Sequence, residues 1–234
     1  MQGNQQVASP YQMALEQKRF MSKVYMWMTL GLVVTGIIAQ WTATSGLIFS
    51  MLSGGPGILY GLMIGEVLLV AWLASSIQKM TPTQATFLYF VYAVLNGITL
   101  SVIFVIYTQE SIASTFFITG GTFGVMSAYG YFTKKDLSGW GHYLFMGLIG
   151  LIIASVVNLF LKSSGLYWLV SYAGILIFVG LTAYDTQKIK EMSAEIAEGS
   201  DEYSKMSIIG ALKLYLDFIN LFILLLRFFG GRRD

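Results

Sequence analysis

The sequence lacks cysteine and is poor in proline and charged residues, and these shortages exclude several classes of protein. Without cysteine there are no disulfides, zinc thiolates or catalytic thiols. Charged residues make up 11% of the 234 residues, which is too few to cover a water-facing surface. The net charge of +2 provides no basic surface for nucleic acid. Since 56% of the residues are hydrophobic, a polytopic membrane protein is what remains.

Seven apolar segments are long enough to cross a bilayer, which takes about 20 residues per helix. They are continuous rather than alternating in polarity, which favours helices over a β-barrel. The segments are 24–43, 58–77, 85–107, 112–133, 143–161, 166–186 and 206–229. We therefore expect an all-α membrane protein, with a polar cytoplasmic tail over residues 1–20 and one seven-helix domain over residues 21–234.

Lysine and arginine residues predict the orientation of these segments. If the N-terminus is cytoplasmic, the outer loops between the first six crossings hold only Lys162. The cytoplasmic side then holds Lys18, Arg19, Lys23, Lys79, Lys134, Lys135, Lys188, Lys190 and Lys205. Arg232 and Arg233 oppose this pattern, so the last segment either crosses despite them or re-enters and returns. We favour a crossing because the segment is long enough to span.

Three charged residues, Lys213, Asp217 and Arg227, lie inside the last segment. A charge at the centre of a spanning helix costs roughly 2.5–3.5 kcal/mol on insertion. Insertion of this segment alone is therefore marginal, and we expect it at the bundle centre, surrounded by the other six helices. Lys213 and Asp217 are four residues apart and share one helix face. They either neutralise each other as a structural pair or serve a function.

Two further acidic residues lie within the apolar segments. Glu66 has no charged neighbour on its own helix, and the orientation above places it at the same depth as Arg227. We expect these two to pair, either as a static ion pair or as a moving latch. Asp185 lies near the cytoplasmic end of the sixth segment, where it is either a solvated carboxylate near Lys188 or a functional group.

Three stretches of the sequence resemble the Bax inhibitor family, also called the transmembrane Bax inhibitor motif family. They are 130–138 (GYFTKKDLS), 183–187 (AYDTQ) and 214–222 (LYLDFINLF), in the family's order. The resemblance runs from about residue 20 to the C-terminus and is strongest to the short bacterial members of the inner membrane. It implies a seven-helix bundle with the last helix in the middle. It also implies a pH-sensitive calcium leak governed by two aspartates, which match Asp185 and Asp217.

The resemblance further implies a glutamate–arginine latch between the second and seventh helices, which matches Glu66 and Arg227. One feature departs from the family. Many relatives carry an arginine toward the inner end of the second helix, where this chain reads ASSI at 74–77. Either Lys213 supplies the missing charge or the gating differs.

The two aspartates suit a site where calcium and protons compete. Calcium binds carboxylate oxygens, and two adjacent carboxylates do not easily both stay ionised. Counting 1.5 Å per residue places Asp217 about 14 Å deep, whereas Asp185 lies near the boundary. We expect the sixth helix to continue beyond Thr186, so that the two carboxyl groups come within hydrogen-bonding reach directly or through one water, with Lys213 adjacent. The expected partners are the lipid bilayer, calcium and protons, with no other cofactor.

Two other functions compete with a calcium leak. The first is a non-conducting membrane regulator that binds other membrane proteins, such as a protease or a stress or death-pathway factor. The second is an intramembrane aspartyl protease, since Asp185 and Asp217 lie on successive helices. The Gly-x-Gly-Asp and Pro-Ala-Leu motifs of that class are absent from the sequence, so we expect no enzyme.

Overall fold

A computed structural model describes residues 10–55 and 57–233 of the chain. In this part the regular structure is helical, apart from one antiparallel bridge between Tyr107 and Arg232. The helices are α1 (Pro10–Thr44), α2 (Leu47–Ser53), α3 (Gly57–Ser76), α4 (Pro82–Leu100), α5 (Val102–Ile106), α6 (Gln109–Phe132), α7 (Ser138–Leu161), α8 (Ser164–Met192) and α9 (Asp201–Phe229). Single 3-10 turns follow α3 at Ile77–Lys79 and α8 at Ser193–Glu195.

Hydroxyl side chains set where several of these helices begin. An N-cap oxygen that accepts a backbone N–H of the first turn satisfies a donor the helix leaves unpaired. Such caps precede α4, α6, α8 and α9, at Thr81, Thr108, Ser163 and Ser200. Thr81 also forms a reciprocal capping box with Gln84, and Pro82 occupies the first helical position, where its missing N–H has no cost.

Six helical segments of the described chain are long and apolar enough to cross a membrane. They are α1, α3 with its following turn, α4 together with α5, α7, α8 and α9. The chain is therefore a membrane protein that is almost entirely helical, as its composition predicts. Helix α6 matches the others in length, at 24 residues, but its serine, threonine and glycine content makes it less apolar.

The helices differ greatly in how much of their surface is buried. Helix α9 is buried along most of its length and contacts α1, α4, α6 and α8. By contrast, α7 buries only Gly141, and α3 buries only Glu66 and Leu73. Helices α3 and α7 therefore present most of their apolar side chains outward, as expected of helices that face lipid.

Helix α9 runs parallel to α1, so the start of α1 at Pro10 and Arg233 beyond α9 lie at opposite ends of the bundle. At the start of α9, Glu198 accepts from Arg19 at 3.1 Å, and Ser204 accepts from Lys23 at 3.1 Å. Beyond the end of α9, Arg233 N donates to Ile106 O at 2.9 Å. We call the end that holds Arg19 the basic end, because it also holds Lys18, Lys134, Lys135, Lys190 and Lys205, and the opposite end the far end.

The predicted tail over residues 1–20 is helical in its second half. Residues 1–9 lie outside the described part, and α1 begins at Pro10. Good helix formers, such as Ala14 and Leu15, continue the helix beyond the apolar segment, because helix propensity does not stop at a membrane boundary. Phe20 is fully buried and packs edge-on against Tyr203, so α1 is anchored to α9 before the apolar segment begins.

Candidate functional site

Asp185 on α8 and Asp217 on α9 face each other inside the helix bundle. Their carboxyl groups lie close enough to interact directly. Asp217 is 4% exposed and the side chain of Asp185 is 15% exposed. A hydrogen bond between two carboxyl groups requires a proton that one of them holds. The two aspartates that the family motifs pair therefore lie next to each other, and their role stays a prediction.

One oxygen of this pair has no partner. Oδ2 of Asp217 is buried and accepts no hydrogen bond from any residue between 10 and 233 that the structure describes. Leaving a buried acceptor unsatisfied costs about 1–3 kcal/mol, and more when the group is charged. Unsatisfied buried groups are rare in native proteins, and each requires a reason such as a bound ion or a functional role.

The continuation of α8 explains how Asp185 reaches Asp217. The helix extends to Met192, so Asp185 lies two turns inside it rather than at its end, as expected. Side chains on both sides of α8 hold this portion in place. Thr186 Oγ1 lies 2.9 Å from Ser127 Oγ on α6. Gln187 accepts from Leu137 N at 2.8 Å and donates to Lys135 O at 2.9 Å.

A close approach of α6 to α8 lies next to the pair. A Cβ placed on Gly130 would overlap the carbonyl oxygen of Ala183, two residues before Asp185. Only glycine permits this backbone contact. The other glycines of α6, at 120, 121 and 124, have no such neighbour within 4 Å. Close packing is therefore a property of Gly130 alone within this group.

Lys213 supplies the positive charge nearest to the two carboxylates. Its Nζ lies 3.9 Å from Asp185 Oδ1, and its side chain is 46% exposed. The lysine thus bridges α9 to α8, and the ion pair it forms is with Asp185 rather than with Asp217 on its own helix. Lys213 is adjacent to the pair, as predicted, but one lysine faces two acidic groups.

Glu66 belongs to a separate buried network. Its carboxylate accepts from Asn96 Nδ2 at 3.2 Å and from the Thr99 hydroxyl, both on α4. Tyr215 on α9 donates to Asn96 Oδ1 at 3.0 Å, and its hydroxyl lies 2.7 Å from Thr35 Oγ1 on α1. The network joins α1, α3, α4 and α9. Its sequence signal is the spacing of Asn96 and Thr99, which puts both on one face of α4.

The predicted pair of Glu66 and Arg227 is wrong. Arg227 donates to Ser171 Oγ on α8 at 3.2 Å and lies over the ring of Tyr167 at 5.0 Å. Glu66 instead faces α4, against which α3 packs. Glu66 lies near the level of Tyr215, since both bond Asn96, and Arg227 follows Tyr215 by twelve residues, or about 18 Å along α9. The expected match in depth is therefore absent. The geometry therefore provides no latch between these two residues.

A metal ion at the aspartate pair would have few protein ligands. Within the described residues, no three His, Cys, Asp or Glu side chains converge. Calcium usually takes six to eight oxygen ligands. Asp185 and Asp217 alone therefore do not form a closed calcium cage.

Comparisons with known proteins agree with the motifs in the sequence. The profile of the family described as "Inhibitor of apoptosis-promoting Bax1" matches residues 17–234. The inner membrane protein YbhL of Escherichia coli K12 is 52% identical over 92% of each chain. A protein of Borreliella burgdorferi is 44% identical over 94% of this chain and 95% of its own length. Protein RP147 of Rickettsia prowazekii is 48% identical over 93% and 91%, respectively.

Proposed function

Since the chain belongs to the Bax inhibitor family, we propose that it is a pH-sensitive calcium leak channel gated by Asp185 and Asp217. The observation that carries the proposal is the burial of these two neighbouring carboxyl groups, together with the unpartnered Oδ2 of Asp217. Ionisable groups inside a membrane protein are costly and mark ion or proton pathways. The proposal includes no enzymatic step and no cofactor, with calcium as the permeant ion.

The proposed architecture has seven membrane crossings with α9 at the centre. Because α1 and α9 run parallel, the chain crosses an odd number of times from the start of α1 to the end of α9, which supports seven crossings. The burial of α9 against four other helices supports its central position. Helix α6 adds a crossing to the six apolar segments, since it extends from Ser111 at the far end to Tyr131, whose carbonyl oxygen accepts from Lys190 at the basic end.

We assign the basic end to the cytoplasm of a bacterial inner membrane. Positive residues favour the cytoplasmic side of membrane proteins, and the basic end holds most of them. The name of the Escherichia coli relative, an inner membrane protein, supports the choice of membrane. Arg232 and Arg233 at the far end oppose the rule, but they follow the last crossing, whose orientation the preceding helices determine.

Protons close the proposed channel by joining its two carboxyl groups. When one group holds a proton, the two groups hydrogen-bond and keep α8 and α9 together. When both are ionised, they repel each other in a medium of low dielectric constant. A cation entering between them relieves that repulsion, so calcium and protons compete for the same oxygens. Calcium leak should therefore fall as the pH drops.

Lys213 fits the role of the charge that the family usually places on the second helix. The inner end of α3 carries no cation at 74–77, whereas Lys213 lies 3.9 Å from Asp185. Lysine holds one compact positive charge on a flexible stem, so it can follow Asp185 or swing toward the exposed side of α9. In this proposal Lys213 stabilises the ionised pair and adjusts the pH at which the leak changes.

Calcium flux in proteoliposomes tests the proposed function. Purified protein should raise calcium entry above that of empty liposomes at about neutral pH, and acidification should reduce it. A non-conducting regulator would pass no calcium at any pH. That result would overturn the channel proposal and favour the regulator.

A further inference from the structure

A second polar site lies at the far end, between α7, α8 and α9, away from the aspartate pair. We propose that it binds the phosphate group of a membrane phospholipid. The site is a cavity of about 220 Å³ lined by Ser155, Asn158, Leu159, Tyr167, Val170 and Arg227. It faces the side of the bundle where α7 is exposed along nearly its whole length.

Arg227 gives the cavity a positive charge that the described protein residues do not neutralise. Its guanidinium donates one hydrogen bond, to Ser171 Oγ at 3.2 Å, and stacks on Tyr167. No carboxylate of residues 10–55 or 57–233 forms an ion pair with it. A guanidinium has five N–H donors in a planar fork that matches the oxygens of a phosphate. Stacking on Tyr167 holds this fork in one orientation.

Asn158 contributes a second donor to the cavity. Its Oδ1 accepts the backbone N–H of Ser163 at 2.9 Å. The acceptor side of the amide is thus used inside the protein, and its NH₂ group is the part that can donate to a ligand. Together with the hydroxyl of Ser155, the cavity presents donors to an anion and contains no acidic side chain.

The position of the cavity selects a lipid rather than a soluble anion. Asn158 lies in the last turn of α7, Tyr167 in the first turn of α8, and Arg227 in the last turn of α9. Helix ends of membrane proteins lie at the level of lipid headgroups, where Tyr and Trp residues collect. Trp168 and Tyr172 are exposed there and pack against Phe228.

The apolar surface beside the cavity provides a place for acyl chains. Leu159, which lines the cavity, is 60% exposed, and Val156 and Ile152 continue the exposed surface along α7 toward the basic end. These residues recur at i, i+4 and i+7, so they form one stripe that leads away from the cavity. A phosphate beside Arg227 would therefore have its chains against an apolar helix face. A free phosphate ion would gain nothing from this surface.

Native mass spectrometry of the purified full chain tests the site. Phosphatidylglycerol is added in one series, a diacylglycerol with the same acyl chains in a second, and inorganic phosphate in a third. The wild-type protein should bind phosphatidylglycerol about tenfold more tightly than the diacylglycerol, because only the former carries a phosphate for Arg227. Arg227→Gln should abolish this preference, and Arg227→Lys should keep part of it.

Two control variants make the result specific. Lys162→Gln removes a cation at the same end that does not line the cavity, and it should retain the preference. Ser155→Leu fills the cavity from the exposed face of α7 while leaving Arg227 intact, and it should lose the preference. If Arg227→Gln fails to fold, the lipid preference of Ser155→Leu tests the site instead. An unchanged preference in both Arg227→Gln and Ser155→Leu would overturn the site, and competition by inorganic phosphate would reassign it to a soluble anion.

Discussion

Lys213 on α9 lies 3.9 Å from Asp185 on α8, whereas Asp217, one turn further along α9, pairs with no lysine or arginine among the described residues. Both carboxyl groups therefore depend on one half-exposed lysine and on each other. Asp217 is the more deeply buried of the two, and its Oδ2 is unpartnered. This asymmetry makes Asp217 the group whose charge is least compensated.

Replacing Lys213 should shift the pH response of the leak. Lys213→Met removes the positive charge next to the pair, which favours the protonated form of two adjacent carboxyl groups. Inhibition of calcium leak by acid should then begin at a higher pH than in the wild-type protein. Calcium entry into proteoliposomes across a pH series measures the shift. Lys162→Met, at the far end of the bundle, should leave the pH dependence of the leak unchanged. An unshifted Lys213→Met profile would show that this lysine does not set the pH response.

Gly130→Ala should destabilise the protein, whereas Gly124→Ala should not. The added methyl group at 130 overlaps the Ala183 carbonyl oxygen, so α6 and α8 must move apart. Overpacking of this kind costs about 1–3 kcal/mol. At 124 the methyl meets nothing within 4 Å, and alanine gains about 0.5–1 kcal/mol over glycine within a helix. Unfolding in mixed micelles compares the two, and equal stability would contradict the close contact.

Tyr215→Phe should weaken the network between α9 and its neighbours. The change removes the hydroxyl that donates to Asn96 and contacts Thr35, and it leaves those buried groups less satisfied. The expected cost is about 1–3 kcal/mol of unfolding free energy. Tyr172→Phe removes a hydroxyl from an exposed tyrosine and should cost far less. Similar losses in the two variants would indicate that the network contributes little.

Glu66 and Arg227 should behave as independent residues. Glu66→Ala removes the carboxylate that accepts from Asn96 and Thr99, and Arg227→Ala removes the contacts to Ser171 and Tyr167. Since no residue is shared between the two sites, the effects on unfolding free energy should add to within about 0.5 kcal/mol. A double-mutant cycle in mixed micelles measures the coupling. A coupling well above that value would restore the pairing that the structure rejects.

The helical class and the pairing of Asp185 with Asp217 could be predicted because apolar segments and family motifs are both visible along the sequence. Apolar length marks crossing helices, and residues beyond an apolar segment can still continue a helix, as α8 does to Met192. Counting the rise per residue alone put Asp217 about 14 Å deep and Asp185 near the boundary. The motifs shared with the family, rather than that count, paired the two residues and led us to expect the longer α8.

Contacts around a helix axis were less predictable. Glu66 and Arg227 carry opposite charges, yet Glu66 contacts α4 and Arg227 contacts α8, and only packing decides those contacts. The glycines of α6 look alike in the sequence, but only Gly130 meets a neighbouring backbone. Such differences depend on which helices pack together, and a single sequence contains no direct record of that arrangement.

The most direct measurement is calcium flux into proteoliposomes across a pH series from acidic to neutral, since a coupled carboxyl pair titrates as a unit. The wild-type leak should fall as the pH drops, and Asp185→Asn and Asp217→Asn should each flatten that dependence. Asp136→Asn, which alters an exposed carboxylate in the loop between α6 and α7, should keep the wild-type profile. If both pair variants also keep the wild-type profile, the pair is not the sensor, and the central claim is contradicted.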